Sequence, residues 1–121
     1  MYLKSYKELT VWNRAIELVK EIYILTGKFP NAEVYGLSIQ MRRAAVSIPS
    51  NIAEGHLRRT LKEFLQFLHI AYGSSAELET QLIIAGDLYR ENNYARAENL
   101  LEEVQKMLNT LIKKLELKTS R

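Results

Sequence analysis

Two adjacent arginine pairs are the residues of this chain best suited to bind an anion. Arg42 is followed by Arg43, and Arg58 by Arg59, with Lys62 close behind the second pair. Residues 58–62 also span the predicted start of a helix, whose free N–H groups and dipole favour phosphate. We therefore predict that Arg42, Arg58, Arg59 and Lys62 contact RNA or DNA. The alternative interpretation is a solvated basic loop.

A second group of polar residues recurs at helical spacing and predicts a structural network. Arg43, Asn51 and Glu54 fall on one stripe of the second predicted helix, and Glu77 of the third can face them. Because buried polar groups must be paired, we expect Arg43 to bind Glu54 or Glu77 and to fix the helix register. Arg42 lies about 100° around the helix from this stripe. A functional cleft is the alternative.

The residues that the chain lacks exclude several kinds of chemistry. It contains no cysteine and only two histidines, His56 and His69, and neither has an acidic residue three positions before it. Disulfides, thiolate nucleophiles and the paired Glu-x-x-His sites of di-iron bundles are thereby excluded. We predict a protein with no metal, no cofactor and no enzymatic activity. Because no apolar stretch could span a membrane and no signal-peptide pattern is present, we expect a cytoplasmic protein.

The elements that carry these side chains are predicted to be four helices. The 121 residues, with a net charge of +3, predict one domain over 1–121. Apolar spacing predicts helices over 10–26, 31–55, 60–89 and 93–116, hence an all-α, antiparallel, up-down-up-down four-helix bundle. Gly27 is predicted to end the first helix, Asn31 or Ser38 to begin the second, and Thr60 with Glu63 to form a capping box. Residues 116–121 are expected to fray.

Apolar residues on all four helices are predicted to form the core. On the first helix, the predicted principal face is Trp12, Ala15, Ile16, Val19, Ile22, Tyr23 and Thr26, and its edge is Val11, Leu18 and Leu25. This arc covers about half of the helix, which is more than one bundle core uses, so we expect a homo-oligomer. Pro49 is predicted to kink the second helix. The small residues 71–76 predict a close approach of another backbone. The predicted core is Trp12, Ile16, Val19, Met41, Ile48, Leu68, Leu82, Leu101, Val104 and Leu108.

Several segments together resemble one known family. The segment 47–55, Ser-Ile-Pro-Ser-Asn-Ile-Ala-Glu-Gly, is similar to the signature of the four-helix-bundle proteins encoded in intervening sequences of bacterial 23S rRNA genes. The similarity extends over about residues 6–115. It includes segments 40–46, 62–64 and 73–80, Trp12 with Ala15, and Phe29 with Pro30. His56 and Leu57 depart from the aromatic residue and glycine that are usual after the signature.

The resemblance implies a non-enzymatic bundle that assembles into a ring, typically a pentamer. A more distant similarity, to the accessory protein of diversity-generating retroelements, implies binding to nucleic acid and to a reverse transcriptase. Two functions therefore stay open: an RNA-binding adaptor, or an oligomeric scaffold for a protein partner such as a reverse transcriptase. Arginines that share one open surface favour the adaptor. Arginines that are paired with Glu54, Glu77 or Glu79 favour the scaffold.

Overall fold

The protein is all-α with four long helices, as a computed structural model describes it over residues 5–119. The helices are α1 (Thr10–Thr26), α2 (Leu37–His56), α3 (Leu61–Leu88) and α4 (Ala95–Thr119). Short 3₁₀ turns at Tyr6–Glu8 and Asn31–Glu33 precede α1 and α2. No helix within 5–119 combines the length and the apolar character that crossing a membrane requires.

The helices form a square in which each one packs against two neighbours, α1 on α2 and α4, and α3 on α2 and α4. Arg14 and Glu21 of α1 contact Glu103 and Arg96 of α4, both at 3.3 Å. Residue numbers thus rise along α1 while they fall along α4, so these two helices run in opposite directions. The contacts of α3 with α4 and of α2 with α3 also pair rising numbers on one helix with falling numbers on the other, so these pairs are antiparallel too. The start of α1, the end of α2, the start of α3 and the end of α4 therefore share one end of the bundle.

Most of the predicted core is buried, but α1 is rotated relative to the prediction. Seven of the predicted residues are buried: Met41, Ile48, Leu68, Leu82, Leu101, Val104 and Leu108. Trp12, Ile16 and Val19 are only half-buried, and Tyr23 is exposed. The centre of the α1 face is instead taken by Val11, Ala15, Leu18, Ile22 and Leu25. The prediction was right for Ala15 and Ile22, but it placed Val11, Leu18 and Leu25 at the edge, because the wide apolar arc of α1 does not by itself indicate its centre.

The ends of the helices are set by local hydrogen bonds. The Thr60 hydroxyl accepts a hydrogen bond from the Glu63 N–H at 3.1 Å, which confirms the predicted cap of α3. The predicted start of α2 was wrong for Asn31, because residues 31–33 form a separate turn and α2 begins at Leu37. The Glu33 carboxylate accepts from the Leu37 N–H at 3.1 Å and satisfies one of the free donors there.

One further expectation about helix ends is corrected and one is confirmed. The helix α4 continues to Thr119, so its last turn does not fray at 116; residues 120 and 121 lie outside the described range. Gly27 caps the end of α1, as predicted, with a right-handed φ of −63°. Its N–H donates to the Tyr23 carbonyl at 3.1 Å and so continues the helical hydrogen-bonding pattern by one residue.

α2 and α3 approach each other closely at Gly55. A Cβ at Gly55 would lie 2.6 Å from the Phe67 Cβ and 3.0 Å from the Phe64 Cδ1. A Cβ at Gly73 would meet no atom within 4 Å in the described part of the chain. The predicted close approach was therefore wrong at Gly73. Pro49 is buried within α2, which is one continuous helix through it.

Candidate nucleic-acid interface

Four cations meet where α2 ends, α3 begins and α4 ends. Arg58 and Arg59 lie in the short connection between α2 and α3, and Lys62 lies in the first turn of α3. Lys118 lies in the last turn of α4 and lines the same surface cavity as Arg58 and Arg59. The antiparallel arrangement thus brings together cations that are about sixty residues apart in the chain. We call Arg59, Lys62 and Lys118, together with Arg58, the basic end.

Among residues 5–119, three members of the basic end have no carboxylate partner, and the fourth is paired. An Arg58 Nη donates to the Glu54 carboxylate at 2.8 Å, and the guanidinium lies 4.8 Å from the centroid of the Phe67 ring. Arg59, Lys62 and Lys118 make no ion pair or side-chain hydrogen bond with any residue of 5–119 and are exposed. Their charges are consequently available to an external anion, whereas that of Arg58 is partly compensated.

Arg42 does not belong to this cluster. Its Nε donates to the Thr26 hydroxyl at 2.9 Å, and its guanidinium lies 4.4 Å from the centroid of the Tyr23 ring. Sixteen residues separate Arg42 from Arg58, which corresponds to about 24 Å along a helix of 1.5 Å rise per residue. Arg42 therefore ties α2 to α1 near the other end of the bundle and is distant from the remaining predicted phosphate ligands.

The polar stripe of α2 makes contacts that differ from the predicted ion pairs. Glu54 binds Arg58 rather than Arg43, and neither Arg43 nor Glu77 has an ion pair within residues 5–119. Asn51 instead donates to the carbonyl and hydroxyl oxygens of Ser47, at 2.7 and 2.9 Å. The Ser47 hydroxyl lies 2.8 Å from the Ser74 hydroxyl of α3. Neutral hydroxyl and amide groups thus link α2 to α3 in place of charges.

Several carboxylates lie at the opposite end of the bundle, where α1 and α3 end and α4 begins. The exposed acids there are Asp87, Glu91 and Glu98, together with half-buried Glu33. A hydrogen bond from the Tyr89 hydroxyl, and a second from the Leu37 N–H, lower the pKa of Glu33. The same bond raises the pKa of Tyr89. Cations lie at this end too, among them Lys28, Arg90 and Arg96, so it carries charges of both signs.

Comparison with known proteins places the chain in a family. The model of the 23S rRNA-intervening sequence protein family matches residues 7–110. The chain belongs to this family. A search of curated proteins finds no match.

A protein of known crystal structure has a similar fold. It is a protein with unknown function from the S23 ribosomal protein family of Bacteroides thetaiotaomicron, 25% identical to this chain, with a TM-score of 0.77. The alignment covers 85% of this chain and 95% of that one. The likeness therefore extends over nearly the whole four-helix unit of both proteins.

In this member of the 23S rRNA-intervening sequence protein family, the segments that carry the resemblance pack α2 against α3. Ser47 and Asn51 form the hydrogen-bonded link to Ser74, and Gly55 lets α3 approach closely. The motif therefore has a direct structural role. Within residues 5–119, no three His, Asp or Glu side chains are grouped so that they could hold a metal ion.

Two residues that line the cavity at the basic end were not among the predicted site residues. Lys118 and His56 both line the cavity beside Arg58 and Arg59. No local pattern marks Lys118, since its proximity depends on how far α4 extends and on its direction. The pairing of Glu54 with Arg58 was predictable from the sequence, because a spacing of four residues favours an ion pair on a helix.

Proposed function

We propose that this 23S rRNA-intervening sequence protein is a non-enzymatic, homo-oligomeric adaptor that binds RNA through its basic end. The observation that carries the proposal is that Arg59 and Lys118 line one cavity, with Lys62 nearby in the first turn of α3, and that none of the three has a carboxylate partner within 5–119. Long cationic side chains that are free of internal partners are the groups that neutralise phosphates.

Assembly into a ring, for which the family resemblance implies five subunits, would give this weak site a useful affinity. One subunit offers only three or four phosphate contacts, which bind weakly at physiological salt. Repeating the patch on one face could raise the avidity by about 10²–10⁴. The half-buried line of Trp12, Ile16 and Val19 beside exposed Tyr23 supports association, because these apolar side chains are incompletely covered within one subunit.

The test is a titration of a fluorescently labelled RNA across a salt series, with the oligomer mass measured by light scattering in the same buffer. We expect a mass well above 14.0 kDa and binding that weakens steeply with salt. The double variant Arg59→Ala/Lys118→Ala should keep the mass and bind all RNA sequences more weakly. The salt slope should fall by about 1.4 for each subunit that contacts a single strand.

The matched control is Lys28→Ala/Arg90→Ala, which removes the same charge from the opposite end of the bundle. We expect this control to bind RNA nearly as the parent does. Equal losses in both double variants would indicate a general charge effect and would contradict the assignment of the basic end. A monomer mass would refute the ring.

An exposed apolar stripe on α3 favours the second candidate, an oligomeric scaffold for a protein partner. Ile70, Ile84 and Leu88 recur on one side of α3 and are 51%, 43% and 60% exposed. If the parent forms its oligomer yet does not bind RNA even at low salt, the scaffold becomes the better conclusion. The variant Ile70→Glu/Ile84→Glu should then abolish partner binding, whereas RNA binding by an adaptor should tolerate it.

A further inference from the structure

The basic end contains a cavity of about 310 Å³ whose lining is mixed in character. One part of the lining is cationic, with Arg58, Arg59 and Lys118. Another part is apolar or aromatic and comes from four different stretches of the chain: Leu9, His56, Leu61, Phe64 and Leu115. Because both kinds of surface border one space, a ligand that fills it must have an apolar part and an anionic part.

The aromatic part of the lining is held in a fixed geometry. The His56 and Phe64 rings meet edge to face, with centroids 5.7 Å apart and planes at 88°. His56 ends α2 and Phe64 lies in the first turns of α3, so the short α2–α3 connection holds both rings in place. Both side chains are half-buried and are therefore partly accessible from the cavity.

Charge and size together limit the ligand. A phosphate group alone would leave the apolar lining in contact with water, and an apolar ligand alone would gain nothing from the cations. The volume is at the lower limit of small-molecule sites, which start at about 300 Å³, so it can hold one ring system rather than several. A nucleobase attached to a phosphodiester backbone has a flat ring surface for the apolar lining and an anionic group for the cations, and one base fits the volume.

We propose that this cavity receives one unstacked base of single-stranded RNA, while Arg59 and Lys118 contact the phosphates that flank it. The inference rests on the proposed function and deepens it, because it specifies which form of RNA binds. Bases in a duplex are stacked and paired and cannot enter, whereas single-stranded regions can present a base to aromatic side chains. Stacking of one base is expected to strengthen binding about 5- to 100-fold.

The experiment compares three labelled RNA ligands of equal length in fluorescence anisotropy titrations with the full chain. They are an oligouridine, the same backbone without bases, and a duplex. We expect the oligouridine to bind at least about 5-fold more tightly than the abasic strand at the same salt concentration. Equal affinities for the oligouridine and the abasic strand would overturn the base-binding cavity while leaving phosphate binding intact.

A matched pair of histidine variants locates the effect. His56→Ala removes an aromatic ring from the cavity and should weaken oligouridine binding while leaving abasic-strand binding unchanged. His69→Ala is the control, because His69 lies outside the cavity lining, 3.5 Å from Glu116. If His56→Ala and His69→Ala bind oligouridine alike, the cavity does not hold the base. If none of the three ligands binds the parent protein, the proposed function fails together with the inference.

Discussion

Replacing Gly55 by alanine should destabilise the protein even though alanine is the better helix former. The new Cβ would lie 2.6 Å from the Phe67 Cβ, 3.0 Å from the Phe64 Cδ1 and 3.3 Å from the Phe64 carbonyl oxygen. The Phe67 Cβ is fixed to the α3 backbone and cannot rotate away, so α2 and α3 must move apart. Overpacking of this kind costs about 1–3 kcal/mol, and a contact this short belongs near the upper value. The gain in helix propensity offsets about 1 kcal/mol. We therefore expect a net loss of about 2 kcal/mol.

Gly73→Ala is the matched control, since Gly73 also lies inside a helix but has open space around it. The same substitution should stabilise the protein by about 1 kcal/mol there, because the gain in helix propensity is unopposed. Urea unfolding, followed by circular dichroism at one fixed protein concentration, measures both variants against the parent. If Gly55→Ala is as stable as the parent, the close approach of α2 and α3 at this residue is incorrect.

Thr60→Ala should lower the free energy of unfolding by about 1 kcal/mol, because the Glu63 N–H loses its cap. Thr110→Ala on α4 is the control, because the Thr110 side chain makes no hydrogen bond within residues 5–119, and equal losses in the two variants would count against the cap. Leu108→Ala should lower the free energy of unfolding, measured in urea, by about 2–5 kcal/mol, since Leu108 is fully buried. A decrease below about 1 kcal/mol would contradict its place in the core. The lowered pKa of Glu33 stabilises the folded state at pH values above the ordinary glutamate pKa of about 4.3. This contribution is lost as the pH falls through the lower folded-state pKa, so Glu33→Gln should show a smaller loss of stability between neutral and acidic pH. If the free energy of unfolding of Glu33→Gln depends on pH as that of the parent does, the stabilising role of the Glu33 carboxylate is contradicted.

The helices were predictable because their signals are local. Apolar spacing predicted α1 over 10–26, and the Thr60 capping pattern predicted the start of α3 to within one residue. The start of α2 was less predictable, because Asn31 and Ser38 are both acceptable caps by type. The structure uses the Glu33 carboxylate instead, and it reaches the Leu37 N–H across a turn. This bond spans only four residues, so it depends on the local geometry of the turn between Glu33 and Leu37 as well as on residue type.

The candidate site was only partly predictable, since its composition depends on how the helices are arranged. Arg59 and Lys62 were found because they adjoin a helix start. Lys118 requires the direction and full length of α4, and the placement of Arg42 requires its contacts with Tyr23 and Thr26 of α1. Adjacent arginines in a sequence therefore indicate charge, whereas the surface that they form is decided by packing.

The two ion pairs between α1 and α4 have a consequence for folding specificity. Arg14 with Glu103 and Glu21 with Arg96 are seven residues apart on both helices, and the signs are exchanged between the two positions. If α4 slips by one heptad in one direction, Arg14 faces Arg96; in the other direction, Glu21 faces Glu103. Either misaligned packing therefore replaces an attraction by a repulsion, although each exposed pair stabilises the native alignment only slightly. The repeating leucines of α4 would tolerate such a slip, so these charges select a single alignment among packings that are nearly equivalent for the apolar residues.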